Sequence, residues 1–347
     1  MIAWRAVLSN VALAKAPFAN VGLALALLLA GCADPIPAAR TGSVAPAYTV
    51  PGPVDGVFTM ADGARLPYRQ WLPDGTPWAV VLALHGMNDS RDAWEIPAPQ
   101  FAEAGIAVFS PDQRGFGDAP DRGHFSSPDV MAGDAATMAR DLRRRYPQAR
   151  LILMGESMGA AVLMRMAAMP DPPTVDGYVL VAPAVWGRAE MNVFMRAGLW
   201  LMAGAFPGLT ATGSIAHVTA SDNHAALVRL SNDPLTIHDT RFDSVRGLVD
   251  LMDAALASAP DMHVPVLFLY GGKDELIPPR ATAATWRALP AGARTAFYPG
   301  GYHLLMRDKG RAVVIGDVLS WIADPTARLP SGADQAAAQW LAEQKQG

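Results

Sequence analysis

From Val57 onward, short continuous apolar runs alternate with longer stretches of helical character, and this rhythm constrains the fold more than any other feature of the chain. The runs are AVVLAL at 79–84, IAVFS at 106–110, LILM at 151–154, YVLV at 178–181, VLFLY at 266–270 and TAFY at 295–298. Runs that do not alternate with polar residues mark strands buried on both faces. Between them lie helical candidates, notably Ser127–Tyr146, which opens on Ser127-Pro128 and ends near Arg143, Arg144 and Arg145, an N-cap with proline at the first position and cations at the last turn. Strands separated by helices predict an α/β fold with a mostly parallel central sheet covered on both faces. Phe58–Met60 and Arg65–Trp71 are joined by Ala61-Asp62-Gly63, a hairpin signal that predicts an antiparallel start to the sheet.

The rhythm stops between about 185 and 260. No strand-like run occurs there, and Met191–Phe206 (MNVFMRAGLWLMAGAF) is apolar almost all the way around a helix. Such a helix buries itself, meets lipid or lines an apolar cavity. The interval reads as a lid inserted between two strands of a domain running over 53–325, although ordinary core packing explains any one of its side chains as well. Beyond it, the tail 326–347 contains SGADQAAAQWLAEQKQG after Pro330, a surface-helix pattern with no chemistry in it.

Charge and cysteine usage exclude several functions. Lys and Arg number 28 against 32 Asp and Glu, a formal net charge of −4, with no basic block, so nothing favours a nucleic-acid partner. A single cysteine, Cys32, can form no internal disulfide and no cysteine-rich zinc site. The N-terminus carries Arg5 and Lys15, then no charge from Ala16 to Ala33, with VGLALALLLA at 21–30. That is a signal-peptide pattern over residues 1–31. A spanning helix fits less well, because Pro17, Asn20 and Gly31 interrupt the stretch and a bilayer needs about 20 apolar residues. Residues 32–52 contain Pro35, Pro37, Pro46 and Pro51 and read as a tether.

The chemistry starts at Gly155-Glu156-Ser157-Met158-Gly159, which follows LILM directly and opens the helical stretch AAVLMRMAAM. A sharp strand-to-helix turn of this kind strains the central residue and presents the Ser157 hydroxyl clear of the sheet, and the helix start supplies unpaired N–H groups. A serine nucleophile needs a base, and the base needs a carboxylate to set its tautomer. The candidates are His85, His124, His217, His224, His238, His263 and His303. His303 follows the last strand in a glycine-rich loop. His217, His224 and His238 fall in the interrupted interval, and His263 precedes a strand, whereas ligands in open parallel sheets bind beyond the strands' carboxyl ends. Asp274 stands at the carboxyl end of VLFLY, with Glu275 as the runner-up; Asp112, after IAVFS, reads as a loop organiser. The backbone N–H groups of Met87, in the loop after AVVLAL, and of Met158 are the candidate oxyanion donors. No metal or organic cofactor is expected.

These residues together resemble the monoacylglycerol lipase and lysophospholipase branch of the α/β-hydrolases. The resemblance runs from about Val57 to Ile322 through HGMND at 85–89, SPDQRGFGDAP at 110–120, GESMG at 155–159, SNDPL at 231–235, GGKDELIP at 271–278 and PGGYHLLMRD at 299–308. It implies an α/β-hydrolase fold with a helical lid, the chain order Ser157, Asp274, His303 for the triad, and hydrolysis of a small-molecule single-chain acyl ester through an acyl-enzyme. Many members carry histidine before the nucleophile, whereas Glu156 stands here, as in the plant-like GESMG variants. A short-chain carboxylesterase or serine peptidase of the same fold, or a non-catalytic envelope lipoprotein, are the alternatives. Leu29-Ala30-Gly31-Cys32 separately resembles the lipobox of bacterial lipoproteins. That resemblance implies cleavage before Cys32, lipidation of its thiol and a lipid anchor in the envelope. Because Ala33 rather than aspartate follows Cys32, the outer membrane is favoured over the inner. No obligate protein partner is evident.

Overall fold

The computed structural model describes residues 51–212 and 218–344. The signal-peptide segment, Cys32, most of the tether and His217 lie outside the described residues. In chain order the elements are β1 (Gly56–Thr59), β2 (Arg65–Trp71), β3 (Ala79–Leu84), α1 (Ala98–Glu103), β4 (Ile106–Pro111), α2 (Pro128–Arg145), β5 (Arg150–Glu156), α3 (Met158–Ala167), β6 (Gly177–Val181), α4 (Val193–Ala205), β7 (Thr210–Thr212), α5 (His224–Asn232), β8 (Asp239–Arg241), α6 (Phe242–Ser258), β9 (Val266–Gly271), α7 (Pro279–Ala288), β10 (Arg294–Tyr298), α8 (Arg311–Ala323) and α9 (Ala333–Glu343).

Eight of these strands form one sheet in the order β1-β2-β4-β3-β5-β6-β9-β10. Every apolar run of the sequence lies in it. The expected hairpin is present, β1 pairing antiparallel with β2 across a turn in which Gly63 has φ 85. β2 pairs antiparallel with β4, and all further neighbours are parallel. The sheet is buried on both faces because each run supplies apolar side chains to both. In β3, Val80, Leu82 and Leu84 join the core under α2, α3 and α6, while Val81 and Ala83 join that under α1 and α8. α2 begins as expected: the Ser127 hydroxyl accepts a hydrogen bond from Val130 N at 3.2 Å, and Pro128 follows.

Residues 182–265 form the insertion between β6 and β9, and they are not uniform. α6 contributes Val245, Val249 and Met252 to the core beneath the sheet and packs on α3. α4 has two faces. Met195, Leu199 and Ala203 point inward, while Val193, Phe194, Leu201 and, at 74% exposure, Trp200 face solvent. No helix among the described residues is long and apolar enough to cross a membrane.

The C-terminal segment forms the helix expected of it, exposed on one side and anchored on the other. α9 packs on β10, burying Ala337 and Trp340. The Trp340 ring lies 4.9 Å from Trp286, 5.1 Å from Phe297 and 5.3 Å from Tyr270, centroid to centroid. An ion pair of 2.9 Å from Arg294 on β10 to Asp334 fixes the helix start.

Candidate active site

The loops that leave the carboxyl ends of β3, β5, β9 and β10 meet at one edge of the sheet. Ser157 occupies the single residue between β5 and α3, with φ 53 and ψ −113, a conformation L-residues rarely adopt and one that stores roughly 1–3 kcal/mol of strain. The flanking glycines explain how the turn closes. A Cβ on Gly155 would lie 2.5 Å from Ala160 N, and one on Gly159 would lie 2.4 Å from Leu84 O. The turn is held on both sides, Ser157 N donating to Val181 O at 2.9 Å and Ala184 N to Ser157 O at 3.0 Å. Ser157 itself remains partly exposed.

The loop after β3 lies directly against it, since a Cβ on Gly86 would sit 3.5 Å from Ser157 Cβ. His85 shapes this loop. Its Nδ1 lies 2.7 Å from Gly86 O, its Nε2 accepts from Gln113 N at 3.0 Å, and its carbonyl accepts from Gln113 Nε2 at 2.8 Å. That pattern requires the neutral ring with the proton on Nδ1, and burial accordingly pushes the His85 pKa down. Asn88, at φ 64, is anchored to the insertion by Asn88 Nδ2 to Thr240 Oγ1 at 2.6 Å and by Ile237 N to Asn88 O at 2.9 Å. Met87 N–H and Met158 N–H thus lie on the two segments that flank the Ser157 hydroxyl.

His303 and Asp274 are brought together from adjacent strand ends. His303 Nδ1 lies 2.8 Å from Asp274 Oδ2, and both side chains are buried. Asp274 Oδ1 accepts from Leu276 N at 2.8 Å and Ile277 N at 2.9 Å, so the carboxylate caps its own turn while it faces the ring. Glu275 is exposed and turned the other way, accepting from Thr219 N at 2.7 Å. The two loops touch through backbone. Lys273 N donates to Gly301 O at 2.8 Å, and a Cβ on Gly271 would meet Gly301 O at 2.5 Å. Burial alone would lower the His303 pKa, but the charge and hydrogen bond of Asp274, joined by Glu156, outweigh it and raise it above the ordinary value, against the smaller opposing field of Arg307. Among the described histidines only His85 and His303 are buried. A partly exposed strained serine, a buried imidazole whose Nδ1 is held by a carboxylate, and N–H groups at a helix start constitute the parts of a nucleophilic acyl-transfer site.

The family model described as serine aminopeptidase, S33 (Hydrolase_4), matches residues 75–310. The chain belongs to this family. Within the wider relationship, a monoacylglycerol lipase of Mycolicibacterium smegmatis is 26% identical over 268 residues, 76% of this chain and 95% of that protein. A crystal structure of the Paleococcus ferrophilus monoacylglycerol lipase is 23% identical with a TM-score of 0.62, covering 74% of this chain and 98% of that one. A soluble variant of the Saccharomyces cerevisiae monoglyceride lipase, in complex with a substrate analog, is 19% identical with a TM-score of 0.66, covering 85% and 99%. The two solved structures share the α/β-hydrolase fold with this chain.

Asp112 has the organising part expected of it in this family member, accepting from Arg91 N at 2.6 Å, Arg91 Nη1 at 2.5 Å and Asp118 N at 2.9 Å. Residues that the sequence reading passed over lie just behind the site. Arg307 is buried and ion-paired with Glu156 and, at 2.8 Å, with Asp89. Arg229 of α5 pairs with Glu95 at 2.8 Å, Asp233 at 3.3 Å and Asp92 at 3.4 Å, joining the insertion to the loop after β3. Arg307 falls within PGGYHLLMRD and Arg229 just before SNDPL, but nothing in those letters shows that either arginine is buried. Among the described residues no cluster of His, Cys, Asp or Glu is arranged to hold a metal ion.

Proposed function

We propose that this chain is a serine hydrolase that cleaves acyl esters of the monoacylglycerol or lysophospholipid type through an acyl-enzyme. The observation that carries the assignment is the buried Asp274–His303 pair of 2.8 Å, on loops that leave the same ends of the sheet as the serine held at φ 53. With Nδ1 committed to Asp274, Nε2 is the basic nitrogen. It takes the Ser157 proton as Oγ attacks the acyl carbonyl, Asp274 stabilises the resulting imidazolium, and the Met87 and Met158 N–H groups hold the oxyanion. His303 then delivers the proton to the departing alcohol and activates water to release the acid. Each oxyanion donor contributes about 3 kcal/mol to the transition state. Two relatives named as monoacylglycerol lipase, one at 26% and one at 23% identity, support the ester class.

The family description favours a second reading, a serine aminopeptidase. An enzyme of that kind recognises a free α-amino group, which calls for a carboxylate left available near the nucleophile. The carboxylates of the loops that flank Ser157, Glu156 and Asp89, face Arg307 instead. The apolar inner face of α4, Met195 and Leu199, suits an acyl chain. The deciding experiment compares parent and Ser157→Ala on p-nitrophenyl esters of graded acyl length, on a monoacylglycerol and on aminoacyl anilides. Hydrolysis of the esters by the parent alone is expected; unchanged hydrolysis in Ser157→Ala refutes the mechanism, and preference for the anilides refutes the substrate class.

The site works, in this reading, at a membrane. Cys32 carries the lipid after removal of 1–31, residues 33–52 tether the domain, and the outer membrane is favoured because Ala33 follows the cysteine. The outward side chains Phe194, Trp200 and Leu201 on α4 support the same placement. Cys32→Ala is expected to move the protein from the membrane pellet to a soluble or uncleaved form; retention in the pellet at mature size refutes the anchor.

A further inference from the structure

Arg307 joins segments that chain distance keeps far apart. Its guanidinium faces Glu156 with Nη2 and Asp89 with Nη1, the latter at 2.8 Å, and the side chain is only about one-twentieth exposed. Glu156 immediately precedes Ser157. Asp89 lies two residues after Met87 in the loop that lies against Ser157. Arg307 itself follows His303 by four residues, in a turn closed by Arg307 N to Leu304 O at 2.8 Å and tied to the insertion by Asn223 Nδ2 to Arg307 O at 2.7 Å. One planar cation therefore touches, at one remove, the nucleophile, an oxyanion donor and the base.

Stability alone does not explain such a group. A buried ion triad is often no more stabilising than apolar residues of equal volume. What a guanidinium supplies is geometry, because its rigid fork holds two carboxylates at set positions, which a single ammonium on a flexible stem does not. The loops concerned are irregular and lie beyond the strand ends, where the sheet no longer sets their spacing.

We propose that Arg307 is a positioning residue: bridging Glu156 and Asp89, it sets the register between the oxyanion loop, the serine turn and the histidine loop. The inference rests on the triad reading above. Displacement of reacting groups by about 1 Å costs roughly 100-fold in rate, so the effect belongs in kcat rather than in substrate affinity.

The test compares the parent with Arg307→Lys, which keeps the charge and loses the fork, and with Glu156→Gln, which keeps the shape and loses one ion pair, in the full chain. Each is assayed on a soluble p-nitrophenyl ester and labelled with a fluorophosphonate, which reports folded, competent Ser157 independently of turnover. The expected result for Arg307→Lys is a kcat 10- to 100-fold lower with KM within threefold, a labelling rate reduced in parallel, and a final stoichiometry of one label per chain; Glu156→Gln should fall in the same direction by a smaller factor. Parent-like kcat in Arg307→Lys overturns the proposal. So does a loss of labelling stoichiometry in both variants that accounts for the lost activity, since that is a folding defect. Labelling that persists in Ser157→Ala refutes the triad instead, and the positioning role with it.

Discussion

Asp233 is an acid in the wrong place for its charge, and replacing it should stabilise the protein in a pH-dependent way. It closes α5, is 3% exposed, and accepts a hydrogen bond from Leu235 N at 2.9 Å. Burial, reinforced by Asp92 and Asp89, pushes its pKa from the ordinary 3.8 up to about 6, although the Leu235 N–H and Arg229 pull the other way. A carboxyl raised by that much in the folded state binds protons there at a pH where the unfolded chain has lost them. Its contribution is therefore most favourable below the unfolded pKa and is lost as pH rises from about 4 to about 6. The ionised side chain costs the folded state about 3 kcal/mol at pH 7.5 and about 1.5 kcal/mol at pH 5. Asp233→Asn keeps the acceptor for Leu235 N and removes the charge, so it should be more stable than the parent by about 3 kcal/mol at pH 7.5 and by about half that at pH 5. Equilibrium urea unfolding at both pH values, followed by tryptophan fluorescence, measures the difference directly, and the parent-to-variant comparison cancels the titrating groups that do not interact with Asp233. A variant less stable than the parent at pH 7.5 would refute the reasoning. It would mean that the 3.3 Å pairing with Arg229 outweighs desolvation and that the charge is a net support of the insertion.

Asp274→Asn should leave the fold intact and lower kcat by a factor on the order of 10,000, because the amide can stabilise the wrong tautomer and no imidazolium. A kcat/KM profile checks the base as well: the raised His303 pKa places the parent's acid limb above 6.5, since the ring must be neutral to accept the proton, and a limb well below that value contradicts it. Trp340→Ala should cost about 3–5 kcal/mol of stability, measurable by urea unfolding, because three aromatic rings lose their partner. A cost under about 1 kcal/mol, the scale of an exposed site, would mean that α9 is a dispensable appendage.

The sheet was legible because its strands are continuous apolar runs, a pattern few other structures require. The serine turn was legible for a different reason. Only glycine fits where Gly155 and Gly159 approach backbone atoms to 2.5 and 2.4 Å, so the spacing carries the geometry. Asp274 and His303 could be chosen because each follows a strand, Asp274 ahead of Glu275 because it stands nearer the strand end; the turn on Leu276 and Ile277 that Asp274 caps is not displayed by the letters. What stayed hidden is whatever depends on long-range pairing. Arg307 and Glu156 are 151 residues apart, and in the sequence a buried arginine looks the same as one on a solvated face. The partner of α9 stayed hidden for the same reason, since the pattern AAAQWLAE marks a helix with an apolar side and says nothing of the aromatic cluster on β10. Within the insertion only Met191–Phe206 stood out in the sequence, as a helix apolar almost all round, yet the core helix there is α6, and α4 is half exposed.

Buried arginines recur wherever two loops of the site must keep a fixed relation. Arg91 ties the loop after β3 to the loop after β4 through Asp112, Arg229 ties the insertion to Asp92 and Glu95, and Arg307 ties the histidine loop to both segments around Ser157. The apolar core cannot do this, because hydrophobic contact is non-directional and these loops have left the sheet. Breaking one such pair leaves an uncompensated buried charge, at about 3–5 kcal/mol, whereas an apolar replacement of a whole set is often neutral. The two kinds of change therefore separate stability from geometry. A set that exists for stability tolerates no apolar substitute, while a set that exists for register accepts one and still loses turnover. Arg307, one of whose partners is the residue before the strained serine, is the one we assign to the second class, and an apolar replacement of its set is the test.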